Sequence, residues 1–169
     1  MTWDAYNRRK EALREVLAIA DRRREESTAT ELLAEVEGAN HAFVNEAELL
    51  LDMQMNWYQQ LSGQMDRSLS LGAEDLETVA INAWHDVAAQ MPGARALLDG
   101  NADMPELRKA FDHEHSLLAR AAGIPANHPD LAGHGNRIKE TARMTMEYAP
   151  VIPDTPAGIF ARIRETLAA

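Results

Sequence analysis

The fold is decided by residues 40–69, which read NHAFVNEAELLLDMQMNWYQQLSGQMDRSL. Turned by about 100° per residue, as in an α-helix, this stretch separates into an apolar and a polar side. The apolar side comprises Phe43, Val44, Ala47, Leu50, Leu51, Met55, Trp57, Tyr58, Leu61 and Met65. This apolar arc covers more than half of the circumference, which is wider than a helix needs to lie on one surface. We therefore predict a central helix about 45 Å long that other helices contact from several directions.

Helical periodicity continues on both sides of this stretch, and no segment of useful length alternates with the period of two typical of a half-buried strand. Caps and breakers divide the flanking sequence into further helices. Thr28 with Glu31, and Asp103 with Glu106, have the spacing of capping boxes, in which two side chains satisfy the free amides of a helix start. The sequence predicts an all-α, single-domain bundle of six or seven helices over residues 1–169.

A last amphipathic helix is predicted over residues 155–168, after a linker bounded by Pro150 and Pro153. One of its faces carries four large apolar side chains: Ile159, Phe160, Ile163 and Leu167. This face either docks on its own bundle or packs in trans against a second copy or another protein, as a helix seated in a groove.

Charge and composition narrow the class of protein. The net charge is −10, and residues 39–104 alone carry ten acidic and two basic side chains. A field of this sign repels nucleic acid and anionic lipid, so neither is an expected partner; the acidic surface either keeps the protein in solution or docks a basic partner. No apolar run long enough to cross a membrane occurs. The absence of cysteine fits a cytoplasmic location.

Signatures of catalysis are missing from the chain. There is no nucleophile elbow, phosphate-binding loop or dinucleotide fingerprint, and cysteine chemistry is excluded. The six histidines raise the question of a metal, but no Glu-x-x-His pair occurs, and Asp130 with His134 would supply only two ligands. We expect no cofactor and no resident metal, and the sequence favours a protein that is not an enzyme.

Four polar residues fall on or beside helix faces that should be apolar: Gln54, Glu114, His115 and His134. Gln54 lies near the middle of the apolar arc of the central helix, and Glu114 lies among leucines and alanines of its own helix. A buried carboxylate costs several kcal/mol unless it is paired or protonated, so Glu114 requires a partner, a proton or an exposed position. Gly133 and Gly135 flank His134 and indicate a loosened helix start or a mobile loop.

Two interpretations of these residues stay open. Glu114 either pairs with a histidine or arginine to fix the register of the bundle, or lines a polar pocket between helices together with Gln54, His115 and His134. The first fits a non-catalytic regulatory or adaptor domain that acts through contacts with itself or with a protein partner. The second fits a bundle that binds a small molecule or a metal, and the surroundings of Glu114 distinguish the two.

Overall fold

The computed structural model describes residues 3–23, 27–72 and 75–147, and every regular element among them is a helix. The α-helices are α1 (Trp3–Arg23), α2 (Ala29–Glu35), α3 (Ala39–Ala42), α4 (Glu46–Leu69), α5 (Leu76–Gln90), α6 (Pro92–Gly100), α7 (Arg108–Ala121) and α8 (Leu131–Glu147). The predicted all-α bundle is therefore confirmed, with eight α-helices in the described ranges where six or seven were expected. The predicted helix over residues 155–168 lies outside the described residues.

The central helix begins later than the periodicity indicated. α4 starts at Glu46, because Asn45 caps it: the Asn45 side-chain oxygen accepts a hydrogen bond from the Glu48 N–H at 2.9 Å. A Glu48 carboxylate oxygen accepts the Val44 N–H at 3.0 Å. These side chains satisfy amides that a helix start leaves free, so the chain turns between α3 and α4 instead of continuing as one helix. Phe43 stays buried at this corner, whereas Val44 points into solvent.

The two predicted capping boxes have different outcomes. Thr28 and Glu31 form theirs, with both reciprocal hydrogen bonds present. The prediction for Asp103 and Glu106 is wrong, because Pro105–Leu107 form a turn of 3₁₀-helix and α7 follows it from Arg108 without a side-chain cap.

α4 lies at the centre of the core, packed against α5, α7, α6 and α2. Its buried side chains are Leu49, Leu50, Met53, Gln54, Trp57, Leu61 and Met65. Trp57 meets Trp84 of α5 edge to face, with ring centroids 5.7 Å apart, which is the arrangement that aromatic quadrupoles favour. The apolar arc is narrower than predicted, since Leu51 and Met55 are exposed.

Arg9 of α1 binds residues at the corner between α3 and α4. Its guanidinium donates to both carboxylate oxygens of Asp52, at 2.6 and 2.9 Å, and to the Ala42 carbonyl oxygen at 3.0 Å. The same group lies 4.6 Å from the centroid of the Phe43 ring. Because a guanidinium that binds a carboxylate through two parallel bonds fixes direction as well as distance, α1 is oriented against α4 at this point.

Two glycines let helices approach backbone to backbone. A Cβ on Gly93 of α6 would fall 2.0 Å from the carbonyl carbon and oxygen of Ala20 in α1. A Cβ on Gly135 of α8 would fall 1.7 Å from the carbonyl oxygen of His115 in α7. α8 runs as a helix through Gly135, so the glycine that suggested a loosened start or a mobile loop provides a close helix–helix contact instead.

Candidate functional site

Glu114 lies in α7 with no solvent-accessible surface. One of its carboxylate oxygens accepts a hydrogen bond from the Gln54 side-chain amide at 2.6 Å. The other accepts from the Trp84 indole N–H and from an Arg95 guanidinium N–H, both at 3.3 Å. The structure thus places Gln54 and Glu114 together, and the partner that the buried carboxylate requires is an arginine.

Arg95 reaches Glu114 from α6, with 5% of its surface exposed. Another of its guanidinium nitrogens donates to a carboxylate oxygen of Asp99 at 2.8 Å. Three aromatic rings surround the guanidinium carbon, with centroids at 4.7, 5.9 and 6.0 Å: Trp57, Trp84 and Phe111. Since aromatic faces attract a desolvated cation, two carboxylates and three rings together offset the cost of burying Arg95.

The chain of charges continues from Arg95 toward the surface. Lys139 of α8 is buried, and its ammonium lies 3.8 Å from Asp99 and 3.2 Å from Glu140. Opposite charges therefore alternate across α7, α6 and α8, and Gln54 adds α4. We call Gln54, Glu114, Arg95, Asp99 and Lys139 the core network. It links four helices, and removing either Arg95 or Glu114 alone would leave a buried charge without its counter-ion.

Some polar atoms around the core network have no hydrogen-bond partner among the described residues. They are Gln54 Oε1, Trp57 Nε1 and Arg95 Nε. These atoms have essentially no accessible surface, so no open cavity adjoins them. Leaving these atoms without a hydrogen bond costs stability. The fold therefore depends more strongly on the hydrogen bonds and ion pairs that the network does form.

His115 follows Glu114 in α7 and is half-buried where α8 crosses it. Burial lowers the pKa of His115, nearby Lys139 and Arg95 act in the same direction, and Glu114 and Asp112 oppose them. The neutral form of the imidazole is therefore favoured in the folded protein relative to the unfolded chain.

This depressed pKa predicts a loss of stability in mild acid. Below about pH 6.5 the unfolded chain binds a proton at His115, whereas the folded chain binds it only at lower pH, so acid favours unfolding. The substitution His115→Gln should remove this part of the pH dependence. His113→Gln, at an exposed position nearby, should keep it. Urea unfolding at about pH 7.5 and about pH 5.5 measures the effect, and an identical pH dependence in wild type and His115→Gln would contradict it.

His134 lies at a different place from Glu114. Its ring meets the His128 ring edge to face, with centroids 4.5 Å apart, and its Nδ1 contacts Arg137. It lines a groove of about 400 Å³ between α8, the start of α5 and Ile124. Because Glu114 has no accessible surface, it does not share this groove with His134. We call this cavity the α8 groove; its walls include Glu77, Ile124, Arg137, Ile138, Thr141 and Met144.

A separate cavity of about 410 Å³ lies between α1 and α4, beside the Arg9–Asp52 contact. We call it the α1–α4 groove; it is lined by Tyr6, Arg9, Lys10, Leu13, Asp52, Met55, Asn56 and Gln59. Trp3 stacks on Tyr6, with ring centroids 5.9 Å apart. Trp3, Met55 and Tyr6 expose 74%, 60% and 49% of their surfaces.

A larger cavity of about 610 Å³ lies beside α1 and α3, but its character is different. Its lining includes charged side chains such as Arg8, Glu15 and Glu37, and its apolar residues are alanines. Ligand and protein sites usually offer large apolar side chains together with a few polar ones. The α1–α4 groove meets that description better.

Three members of the core network were not among the site residues predicted from the sequence: Arg95, Asp99 and Lys139. The sequence does contain a signal for Arg95, because it lies between Ala94 and Ala96 on a short helix whose other side chains, apart from Asp99, are apolar. Residues 39–104 contain only one other lysine or arginine, Arg67. Lys139 has no comparable signal.

Comparison of this chain with protein families, with curated proteins and with solved structures finds no match. Within the described ranges, no helix has both the length and the apolar character that crossing a bilayer requires. In the same ranges, no three histidine or carboxylate side chains come together as metal ligands would. Function is therefore inferred from the geometry of this chain alone.

Proposed function

We propose that the protein is a non-catalytic regulatory or adaptor domain that holds an amphipathic helix of a partner protein in the α1–α4 groove. The observation that supports this most strongly is the exposure of Tyr6 and Met55 in one groove, with the exposed Trp3 stacked on Tyr6. Aromatic and methionine side chains are enriched where proteins bind each other, since they bury a large area at a modest cost in conformational entropy. A groove between two helices accepts a third helix through such side chains.

The charge of the groove indicates the chemistry of the partner helix. Arg9 is neutralised by Asp52 and Glu48, which lie 2.6 and 3.2 Å from its guanidinium nitrogens. Lys10 lines the groove and has no ion-pair partner among the described residues. Arg14 follows Lys10 one turn further along α1. We therefore expect the partner helix to carry aspartate or glutamate beside its apolar stripe.

The closed core network favours a functional site on the surface of the protein over one in its interior. A catalytic group must touch a substrate, and Glu114 is closed off by its hydrogen bonds to Gln54, Trp84 and Arg95. The alternative, a ligand pocket built from Glu114, His115 and His134, has less support because Glu114 opens onto no cavity. A cytoplasmic location belongs to the same proposal, since a chain without cysteine suits a reducing compartment.

Photo-crosslinking from the groove tests the proposal. A photoreactive benzoylphenylalanine at position 55, in cells of the source organism, is expected to capture one segment of one partner protein. The sequence of that segment should predict an amphipathic helix with aspartate or glutamate beside its apolar stripe. The matched control carries the same group in place of Leu71, which is 87% exposed and does not line the groove, and it should not capture this segment.

A synthetic peptide of the captured segment then provides the quantitative test. We expect Lys10→Glu to weaken peptide binding at least about tenfold, because it reverses the charge that faces the acidic flank. Lys109→Glu changes an exposed lysine of α7 and should leave binding unaltered. Equal affinities for the two variants would overturn the proposal, and so would crosslinks that join only copies of this chain.

A further inference from the structure

We propose that a cavity of about 280 Å³ between α4, α7 and the start of α8 binds the phosphate group of a small molecule. We call it the α4–α7 cavity; it is lined by Tyr58, His113, Ser116, Arg120, Ala126 and Leu131. This cavity shares no lining residue with the α1–α4 groove, so the inference does not depend on the proposed function.

Helix α7 presents three polar side chains to this cavity from one face. His113, Ser116 and Arg120 follow one another at spacings of three and four residues, so they point in nearly the same direction. Tyr58 lines the same cavity from α4 and is half-buried. Two apolar residues complete the walls. Four polar side chains from two helices therefore border one small volume.

Each of these four side chains can donate a hydrogen bond, from a guanidinium, an imidazole, a phenol or an aliphatic hydroxyl group. Arg120 Nε donates to the Ser116 carbonyl oxygen at 3.2 Å, which holds the guanidinium along α7 and leaves its two terminal nitrogens for a ligand. The other donors of the four side chains have no hydrogen-bond or ion-pair partner among the described residues. The cavity thus offers several unused donors and one permanent positive charge.

The charge of the α4–α7 cavity differs from that of the protein as a whole. The net charge of the protein is −10, yet no aspartate or glutamate is among the described residues that line this cavity. The α1–α4 groove, the α8 groove and the cavity beside α1 and α3 are each lined by at least one carboxylate. A cavity that offers donors and a cation without a carboxylate fits an anion.

The number of donors favours a phosphate group over a carboxylate. A phosphate monoester presents three strong acceptor oxygens, whereas a carboxylate presents two, and a guanidinium can bind phosphate through two parallel hydrogen bonds. The cavity volume lies near the lower end of the range of about 300–1,000 Å³ usual for ligand pockets, so the ligand is small. A polyanion would also meet the acidic surface elsewhere on the protein. Inorganic phosphate and a small phosphomonoester present the same group to this cavity.

Nuclear magnetic resonance of the full-length chain tests the proposal, with inorganic phosphate and glycerol 3-phosphate as probes at an ionic strength held constant with chloride. We expect at least one probe to cause saturable shifts of the amides of residues 113–120, and the tighter probe identifies the free ion or the ester as the source of the phosphate group. Acetate should bind at least about tenfold more weakly than that probe. Acetate binding as tight as phosphate, or no saturable shift with either probe, would overturn the proposal.

Substitutions in the cavity then locate the site. Arg120→Gln should weaken binding of the tighter probe at least about tenfold, because it removes the charged donors. Tyr58→Phe removes one hydroxyl and should weaken binding about threefold. The matched control Arg108→Gln removes the same charge from an exposed position of α7 outside the cavity, and should change the affinity less than about twofold.

The amide spectrum of each variant without ligand shows that it is folded, so a loss of binding is not mistaken for a loss of structure. Unchanged affinity in both Arg120→Gln and Tyr58→Phe would overturn the proposal. A loss in Arg108→Gln equal to that in Arg120→Gln would overturn it too, because the anion would then respond to the charge of α7 in general and not to this cavity.

Discussion

The substitution Arg95→Met is expected to lower the free energy of unfolding by about 3–5 kcal/mol, because it leaves the charge of Glu114 buried without its counter-ion. Methionine can occupy much of the space between the aromatic rings that surround the guanidinium, so the loss comes mainly from charge rather than from a cavity. Urea unfolding followed by circular dichroism measures the effect, provided that the slope of the transition stays constant.

A double substitution separates the ion pair from other consequences of changing Arg95. In Arg95→Met/Glu114→Gln no charge is stranded, and glutamine can still accept a hydrogen bond from Gln54 or Trp84. The double variant should therefore be more stable than Arg95→Met alone. Arg67→Met is the matched control: this arginine is exposed in α4, its side-chain hydrogen bonds go to Gln64, and the change should stay within about 0.5 kcal/mol. An effect of Arg95→Met as small as that of Arg67→Met would contradict the role given to the core network.

The substitution Gly135→Ala is expected to destabilise the protein by about 1–3 kcal/mol, although alanine is the better helix former. The added Cβ would fall 1.7 Å from the His115 carbonyl oxygen, so α7 and α8 must separate to admit it. Gly93→Ala should act in the same direction, since its Cβ would meet the backbone of Ala20 at 2.0 Å. Thermal and urea unfolding of both variants measure the change.

A third glycine provides the control for this prediction. Gly63 lies within α4, where the nearest heavy atom to an added Cβ is Arg67 Nη1 at 3.6 Å. That is ordinary contact with a flexible side chain, so Gly63→Ala should stabilise the protein by up to about 1 kcal/mol through helix propensity. The same glycine-to-alanine substitution is thus expected to lower stability at position 135 and to raise it at position 63. A stabilising Gly135→Ala would show that α7 and α8 are not in backbone contact.

Two of the buried polar residues, Gln54 and Glu114, were predictable from the sequence because helical periodicity indicates the direction of a side chain. Gln54 and Glu114 were placed on apolar faces in this way, and both are buried. The pairing of Glu114 with Arg95 was not predictable in the same way, since it depends on how two separate helices meet. Tertiary packing decides such contacts, and periodicity within one helix carries no information about it.

The structure differs from the sequence prediction in two further places, one where a helix cap interrupts an apolar pattern and one where no helix covers an apolar side chain. The cap that Asn45 and Glu48 form is visible in the sequence, but the apolar residues on both sides of it favoured one continuous helix. Met55 lies on the apolar arc and is nevertheless exposed, because no neighbouring helix covers that part of α4 in the described structure. Periodicity identifies an apolar face but does not say what covers it. For the same reason the α1–α4 groove was not foreseen.

Hydrogen exchange at the indole N–H groups of the three tryptophans tests the central claim most directly, which is that the interior is closed and the exposed apolar surface lies elsewhere. Trp57 and Trp84 are fully buried around the core network, so their N–H groups should exchange only when the whole protein unfolds. The N–H of Trp3, beside the α1–α4 groove, should exchange far faster. Exchange of the Trp84 N–H at a rate near that of Trp3 would show that water reaches Glu114. It would contradict the closed interior and favour the alternative of a ligand pocket at Glu114.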